Sequence, residues 1–83
     1  MPLDILYFAW VRERIGKPRE RVETNATTVR DLVAELVAID DWHAAALSDL
    51  SAVRIAVDQE LSDLDTPLQN AREVAFFPPM TGG

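Results

Sequence analysis

The chain has 83 residues, nearly half of them hydrophobic, which suits one domain with a single core and leaves no room for a second. It contains no cysteine, so disulfides, thiolate metal sites, iron–sulfur clusters and a cysteine nucleophile are excluded. With 14 acidic against 8 basic residues it would be repelled by phosphate backbones, so no nucleic-acid partner is expected, while an acidic surface favours encounter with a basic protein.

Met1-Pro2-Leu3-Asp4 has no basic stretch leading into an apolar one, and no apolar run approaches the roughly 20 residues of a membrane span. The chain therefore reads as soluble and cytoplasmic, with no membrane partner. Leu3, Ile5, Tyr7 and Ala9 alternate with Asp4, Leu6, Phe8 and Trp10, a period of two that predicts a first strand from about Leu3. Val11-Arg12-Glu13-Arg14-Ile15 allows a turn of helix, Gly16-Lys17-Pro18 breaks it, and Arg19–Glu23 returns as a second strand. Thr28 is placed to cap a helix, with Asp31 three residues on, and Val29, Leu32, Val33, Leu36 and Val37 form one apolar stripe at helical spacing. Asp40-Asp41 interrupts the stripe, and residues 42–50, rich in alanine, predict a second, shorter helix capped by Asp41.

Val53, Ile55 and Val57 alternate with Arg54, Ala56 and Asp58 in a third strand, and Val74 and Phe76 alternate with Glu73, Ala75 and Phe77 in a last one. Residues 60–72 between them read as turns. The order β-β-α-β-β predicts an α+β domain of the β-grasp type over residues 1–77, a mixed sheet with helices on one face, followed by an extended functional tail over 78–83.

One helical layer covers one side of such a sheet, so the strands can be sorted by where their charges fall. The inward sets are nearly pure hydrophobic. The outward sets place Leu6, Phe8, Ala56, Ala75 and Phe77 within a rim of Asp4, Arg54, Asp58 and Glu73, a patch that predicts a protein partner. His43, a lone histidine beside Trp42, reads as a surface or boundary residue with no catalytic partner at a recognisable spacing. The pairs Asp58 with Glu60 and Asp63 with Asp65 lack the twelve-residue calcium-loop pattern, so they read as solvated turn residues and no metal is expected.

The sequence ends Phe76-Phe77-Pro78-Pro79-Met80-Thr81-Gly82-Gly83. Pro78 and Pro79 remove two donors, end the sheet and bias the chain towards extended geometry, so six residues reach up to about 20 Å, enough to enter a partner's pocket. Gly82 and Gly83 lack a Cβ, so they can thread a narrow channel and bring the α-carboxylate of Gly83 against a reacting group.

Leu6-Tyr7-Phe8-Ala9, Val11-Arg12-Glu13, Ala56-Val57-Asp58-Gln59-Glu60-Leu61 and the whole run from Glu73 to the terminal Gly82-Gly83 resemble the small subunits of molybdopterin synthase, a ubiquitin-like sulfur-carrier family. The resemblance covers nearly the whole chain, and its tail motif is highly specific. It implies a ubiquitin-like fold in which Gly83 is adenylated by an E1-like enzyme using ATP, becomes a thiocarboxylate, and donates sulfur to the cyclic pyranopterin precursor inside the large subunit. The expected partner contacts are Phe8, Leu61, Phe77, Pro78, Pro79, Met80 and Thr81, with Gly82 as the threading residue; the resemblance implies a sulfur donor protein and a complex with two copies of each subunit. No permanently bound cofactor is implied, and ATP belongs to the activating enzyme.

The chain departs from the family pattern in two places: Asp58 stands where asparagine is usual, and Gln69-Asn70-Ala71-Arg72 replaces a glycine-containing acidic turn, with Asn70 able to take a left-handed position. The competing readings are a thiamine-pathway sulfur carrier, which shares the Gly-Gly end but is shorter and lacks Phe-Phe-Pro-Pro, a protein modifier joined to lysines, and an interaction module with an inert tail.

Overall fold

The computed structural model describes residues 1–79. In chain order it contains β1 (Pro2–Tyr7), α1 (Ala9–Ile15), β2 (Arg19–Glu23), α2 (Val29–Val37), α3 (Asp41–Leu47), β3 (Arg54–Val57), β4 (Glu60–Ser62) and β5 (Glu73–Phe77). The strands form one mixed sheet in the order β2-β1-β5-β3-β4, in which β1 and β5 run parallel and the other neighbours antiparallel. The last strand of the sequence therefore lies in the middle of the sheet.

Register follows from the alternation of side chains. Ile5 lies opposite Val74, which lies opposite Val57, and Tyr7 opposite Phe76, which lies opposite Ile55. These residues are buried on one face beneath Val11, Ile15, Val29, Leu32, Leu36 and Leu47 of the helices. A one-residue slip would turn every one of them to solvent, so the core fixes the pairing.

The α2 cap forms as the sequence predicts, the Thr28 hydroxyl accepting from the Asp31 amide at 3.3 Å. The return arm differs: the Asp31 carboxylate takes the Thr27 hydroxyl at 3.1 Å. At α3 the cap is Asp40 and not Asp41, because Asp40 holds extended backbone and its carboxylate accepts from the His43 amide at 2.9 Å. That helix ends at Leu47, short of the predicted residue 50.

Three further differences have local causes. Ala9 does not continue the first strand's inward set; its φ of 51° turns the chain into α1, a full seven-residue helix, and it is exposed. The helix stops at Gly16, whose φ of 94° suits a residue without Cβ and whose amide reaches the Arg12 carbonyl. The stretch read as turns contains the short strand β4, joined to β3 by Asp58 and Gln59, both in left-handed conformation, as a two-residue hairpin demands. Asn70 takes the left-handed position open to it, at φ 65°.

Candidate functional site at the open face of the sheet

The face away from the helices is built by the strand pairing. Leu6, Ala75, Ala56 and Leu61 follow one another across four strands, with Arg19 closing the row at the β2 edge. Phe77 lies opposite Arg54 in a neighbouring row, while Asp4, Arg21 and Glu73 make a charged row on the other side. Arg19 and Arg21 approach the Asp4 carboxylate only loosely, at 3.8 and 3.9 Å. Arg54 and Asp58 also lie at this surface and are exposed.

At one end of this face Phe8, Ala9, Ala75, Phe77 and Pro78 line a shallow, almost wholly apolar depression. Phe8 projects there because its amide donates to the Phe76 carbonyl at 3.1 Å, which ties the end of β1 to the end of β5. Phe8 is 46% exposed, and Phe77, Pro78 and Pro79 are half-buried. Leu61, 72% exposed, stands at the far edge of the same face, on β4. Of the residues expected to meet a partner, the structure thus places Phe8, Phe77 and Pro78 together, with Pro79 following in the chain and Leu61 across the sheet. Met80, Thr81, Gly82 and Gly83 lie outside the described residues.

The acidic pairs in the turns build backbone. Asp58 Oδ1 accepts from the amides of Arg72 and Glu73, at 2.9 and 3.0 Å, and so fastens the β3–β4 hairpin to the start of β5. Asp63 Oδ1 accepts from the Asp65 amide at 2.9 Å and from the Thr66 hydroxyl at 3.3 Å, while Asp65 pairs with Arg30 at 2.9 Å. Among the described residues no three histidine or carboxylate side chains converge as a metal site would require. No helix of the described residues is long and apolar enough to cross a membrane.

His43 corrects the sequence reading outright, for it is neither a surface nor a boundary residue. It is 1% exposed, with Nε2 at 2.6 Å from Glu20 Oε2 and Nδ1 at 2.7 Å from Asp40 Oδ1. The Tyr7 hydroxyl donates to the same Glu20 oxygen at 2.7 Å, and the Tyr7 ring meets the imidazole edge-on. Burial would lower the affinity of His43 for its proton, yet the two carboxylates outweigh it and hold the pKa above the ordinary value. Burial likewise opposes the ionised form of Glu20, but the hydrogen bonds from His43 and Tyr7 prevail and lower it; Asp40 is lowered chiefly by the His43 amide. Burial, then the bond to Glu20, pushes the Tyr7 hydroxyl far up, so it stays protonated. The only hint in the sequence is Asp40 three residues before His43; Tyr7 and Glu20 reach the ring through the fold.

Helices on one side of a mixed sheet whose central strand leads into the tail, with an apolar patch at its exit, define a ubiquitin-like β-grasp protein. The solution structure of small archaeal modifier protein 1 from Methanosarcina acetivorans shares this fold, with a TM-score of 0.75 at 20% identity over 99% of this chain and 96% of that one. A model of the ThiS family matches residues 5–83, and the chain belongs to that family. It is 42% identical over 81 residues to the molybdopterin synthase sulfur carrier subunit of Escherichia coli, covering 98% of this chain and 99% of that protein. The protein of the same name from Haemophilus influenzae is 36% identical over 81 residues, with the same coverage of both chains.

Proposed function

We propose that this protein is the sulfur-carrier subunit of molybdopterin synthase, and that Gly83 carries the sulfur. The observation that bears most weight is the apolar depression of Phe8, Ala75, Phe77 and Pro78 at the point where β5 hands over to the tail. A partner seated on that surface necessarily lies beside the tail's exit, so docking and delivery of the terminus are one event. The similarity to sulfur-carrier subunits over nearly the full length supports the same reading.

A carboxylate is a poor acyl donor, so the cycle begins with an E1-like enzyme that joins Gly83 to AMP and releases pyrophosphate from ATP. The terminal sulfur of a donor protein's persulfide then attacks the carbonyl carbon and AMP departs. A second thiol cleaves the resulting sulfur–sulfur bond, leaving a thiocarboxylate on Gly83 and a disulfide on the thiols. Within the large subunit that anionic, polarisable sulfur attacks the pyranopterin precursor, which calls for positioning and charge neutralisation more than for a strong base. Hydrolysis of the carbonyl–sulfur bond restores the carboxylate. A dithiolene needs two sulfurs, so spent carrier must exchange for loaded carrier in a cytoplasmic complex of two small and two large subunits. The carrier itself keeps no cofactor; ATP is consumed by the activating enzyme.

Intact mass spectrometry with C-terminal fragmentation tests the reading on protein incubated with ATP, a sulfur donor and the activating enzyme. Exchange of one oxygen for one sulfur at Gly83 is the expected result. Unchanged carboxylate under those conditions, or isopeptide adducts to lysines of other proteins in its place, would overturn it.

A further inference from the structure

We infer that the Tyr7–Glu20–His43–Asp40 chain is a proton-loaded latch: folding binds a proton at His43, and losing that proton unfastens α3 from the paired strands β1 and β2. The geometry carries this. Both ring nitrogens of a 1% exposed imidazole face carboxylate oxygens, at 2.6 and 2.7 Å. A neutral imidazole has one N–H and one lone pair, so only the doubly protonated ring donates in both directions. Without the second proton, one of the contacts sets a lone pair against a carboxylate beside a ring that is 2% exposed; the mismatch is costlier towards Glu20, 15% exposed, than towards Asp40, 44% exposed.

The latch spans three elements. Glu20 comes from the inward face of β2, where it lies opposite Ile5, and its Oε2 accepts from Tyr7 of β1 as well as from His43. Asp40 is doubly committed, receiving the His43 amide that starts α3 and the His43 ring. Behind Glu20 stands Lys17, at 3.5 Å from the other carboxylate oxygen. The helices packed against α3 bring no further partner: Arg12, Glu13 and Arg14 of α1 and Arg30, Asp31 and Glu35 of α2 are exposed, as is Asp41 of α3, and the Glu35 carboxylate takes the Thr24 hydroxyl. The imidazolium therefore answers to Glu20 and Asp40.

The sign follows from linkage. The folded state holds the His43 proton more tightly than the unfolded chain does, so the latch is fully closed below the ordinary histidine value of about 6.5 and is lost as pH rises through the folded value. The lowered Glu20 and Asp40 act oppositely, so their contribution fades as pH falls through their own folded values. Stability peaks between these limits.

His43 is the chain's one histidine, so its ring resonances in the full-length protein titrate without overlap. The test combines that titration with urea unfolding of wild type, His43→Gln and Glu20→Gln from about pH 6 to 9, and with amide exchange across residues 44–48. In wild type the folding equilibrium is expected to weaken by up to about tenfold per pH unit within the window, with exchange in α3 rising more than in α2. His43→Gln flattens the profile, and Glu20→Gln moves the histidine titration to lower pH. A histidine that titrates at or below about 6.5 in the folded protein overturns the inference, as do wild-type and His43→Gln stabilities that run parallel across the window. If His43→Gln does not fold, the wild-type titration and Glu20→Gln decide by the same criteria.

Discussion

Leu61 separates binding from folding more cleanly than any other residue of the open face. It sits on a three-residue edge strand, 72% exposed, with only Ala56 opposite, so the isolated domain gains little from it. Full burial of a leucine is worth about 1.5–3 kcal/mol, so a partner that covers the exposed 72% gains about 1–2 kcal/mol. Leu61→Ala should therefore weaken affinity for the large subunit roughly 5- to 30-fold. Leu61→Asp adds the cost of taking an unpaired carboxylate out of water and should weaken it beyond about 100-fold. Titration calorimetry against the large subunit measures both, and thermal unfolding should show stability changed by no more than about 0.5 kcal/mol. Two well-folded variants that bind within about twofold of wild type would take Leu61 out of the interface.

Tyr7→Phe keeps the ring stacked on Phe76, 6.1 Å between centroids, but removes the hydroxyl that meets Glu20. It should cost about 1.5–3 kcal/mol in urea unfolding, the usual worth of a hydrogen bond to a charged group. Asp58→Asn keeps both the oxygen that receives the Arg72 and Glu73 amides and the tolerance for φ 49°, so thermal unfolding should change by less than about 0.5 kcal/mol. Asp58→Ala loses both and should cost about 1–3 kcal/mol in the same assay. Gly16→Ala meets no atom within 4 Å of the added Cβ, so its destabilisation, about 1 kcal/mol by thermal unfolding, is that of a left-handed alanine alone.

What the sequence disclosed was local. The stripe Val29-Leu32-Val33-Leu36 and its Thr28 cap are written within nine residues, and the alternations at Leu3-Ile5-Tyr7 and Val74-Phe76 within five. The same alternation misled at Ala9, because a small apolar residue continues a strand pattern as readily as it starts a helix, and only φ distinguishes them. Glu60-Leu61-Ser62 is too short to show a period, and it is a strand because β3 offers it an edge. Asp40 and Asp41 are equivalent as caps in sequence; it is Asp40 that takes extended backbone and receives the His43 amide. The burial of His43 was beyond any spacing rule, since Glu20 lies 23 residues away in the chain and reaches the ring only through the fold. At the open face, the outward residues were readable from strand parity, but the meeting of Phe8 with Phe77 and Pro78 depends on the parallel pairing of β1 with β5.

That pairing also orders the birth of the molecule. β5 fills the gap between β1 and β3, so a chain that stops before Glu73 has the strands of two half-sheets, β2-β1 and β3-β4, but lacks the strand that joins them. Closing the gap joins Asp4 to Glu73 across almost the whole length of the domain, a contact of the kind that makes folding slow and late. The sheet is thus complete only once β5 is available to it. A chain interrupted before β5 would expose open strand edges and present no surface for Phe8 to share, and would be recognisable to proteases and chaperones as unfinished.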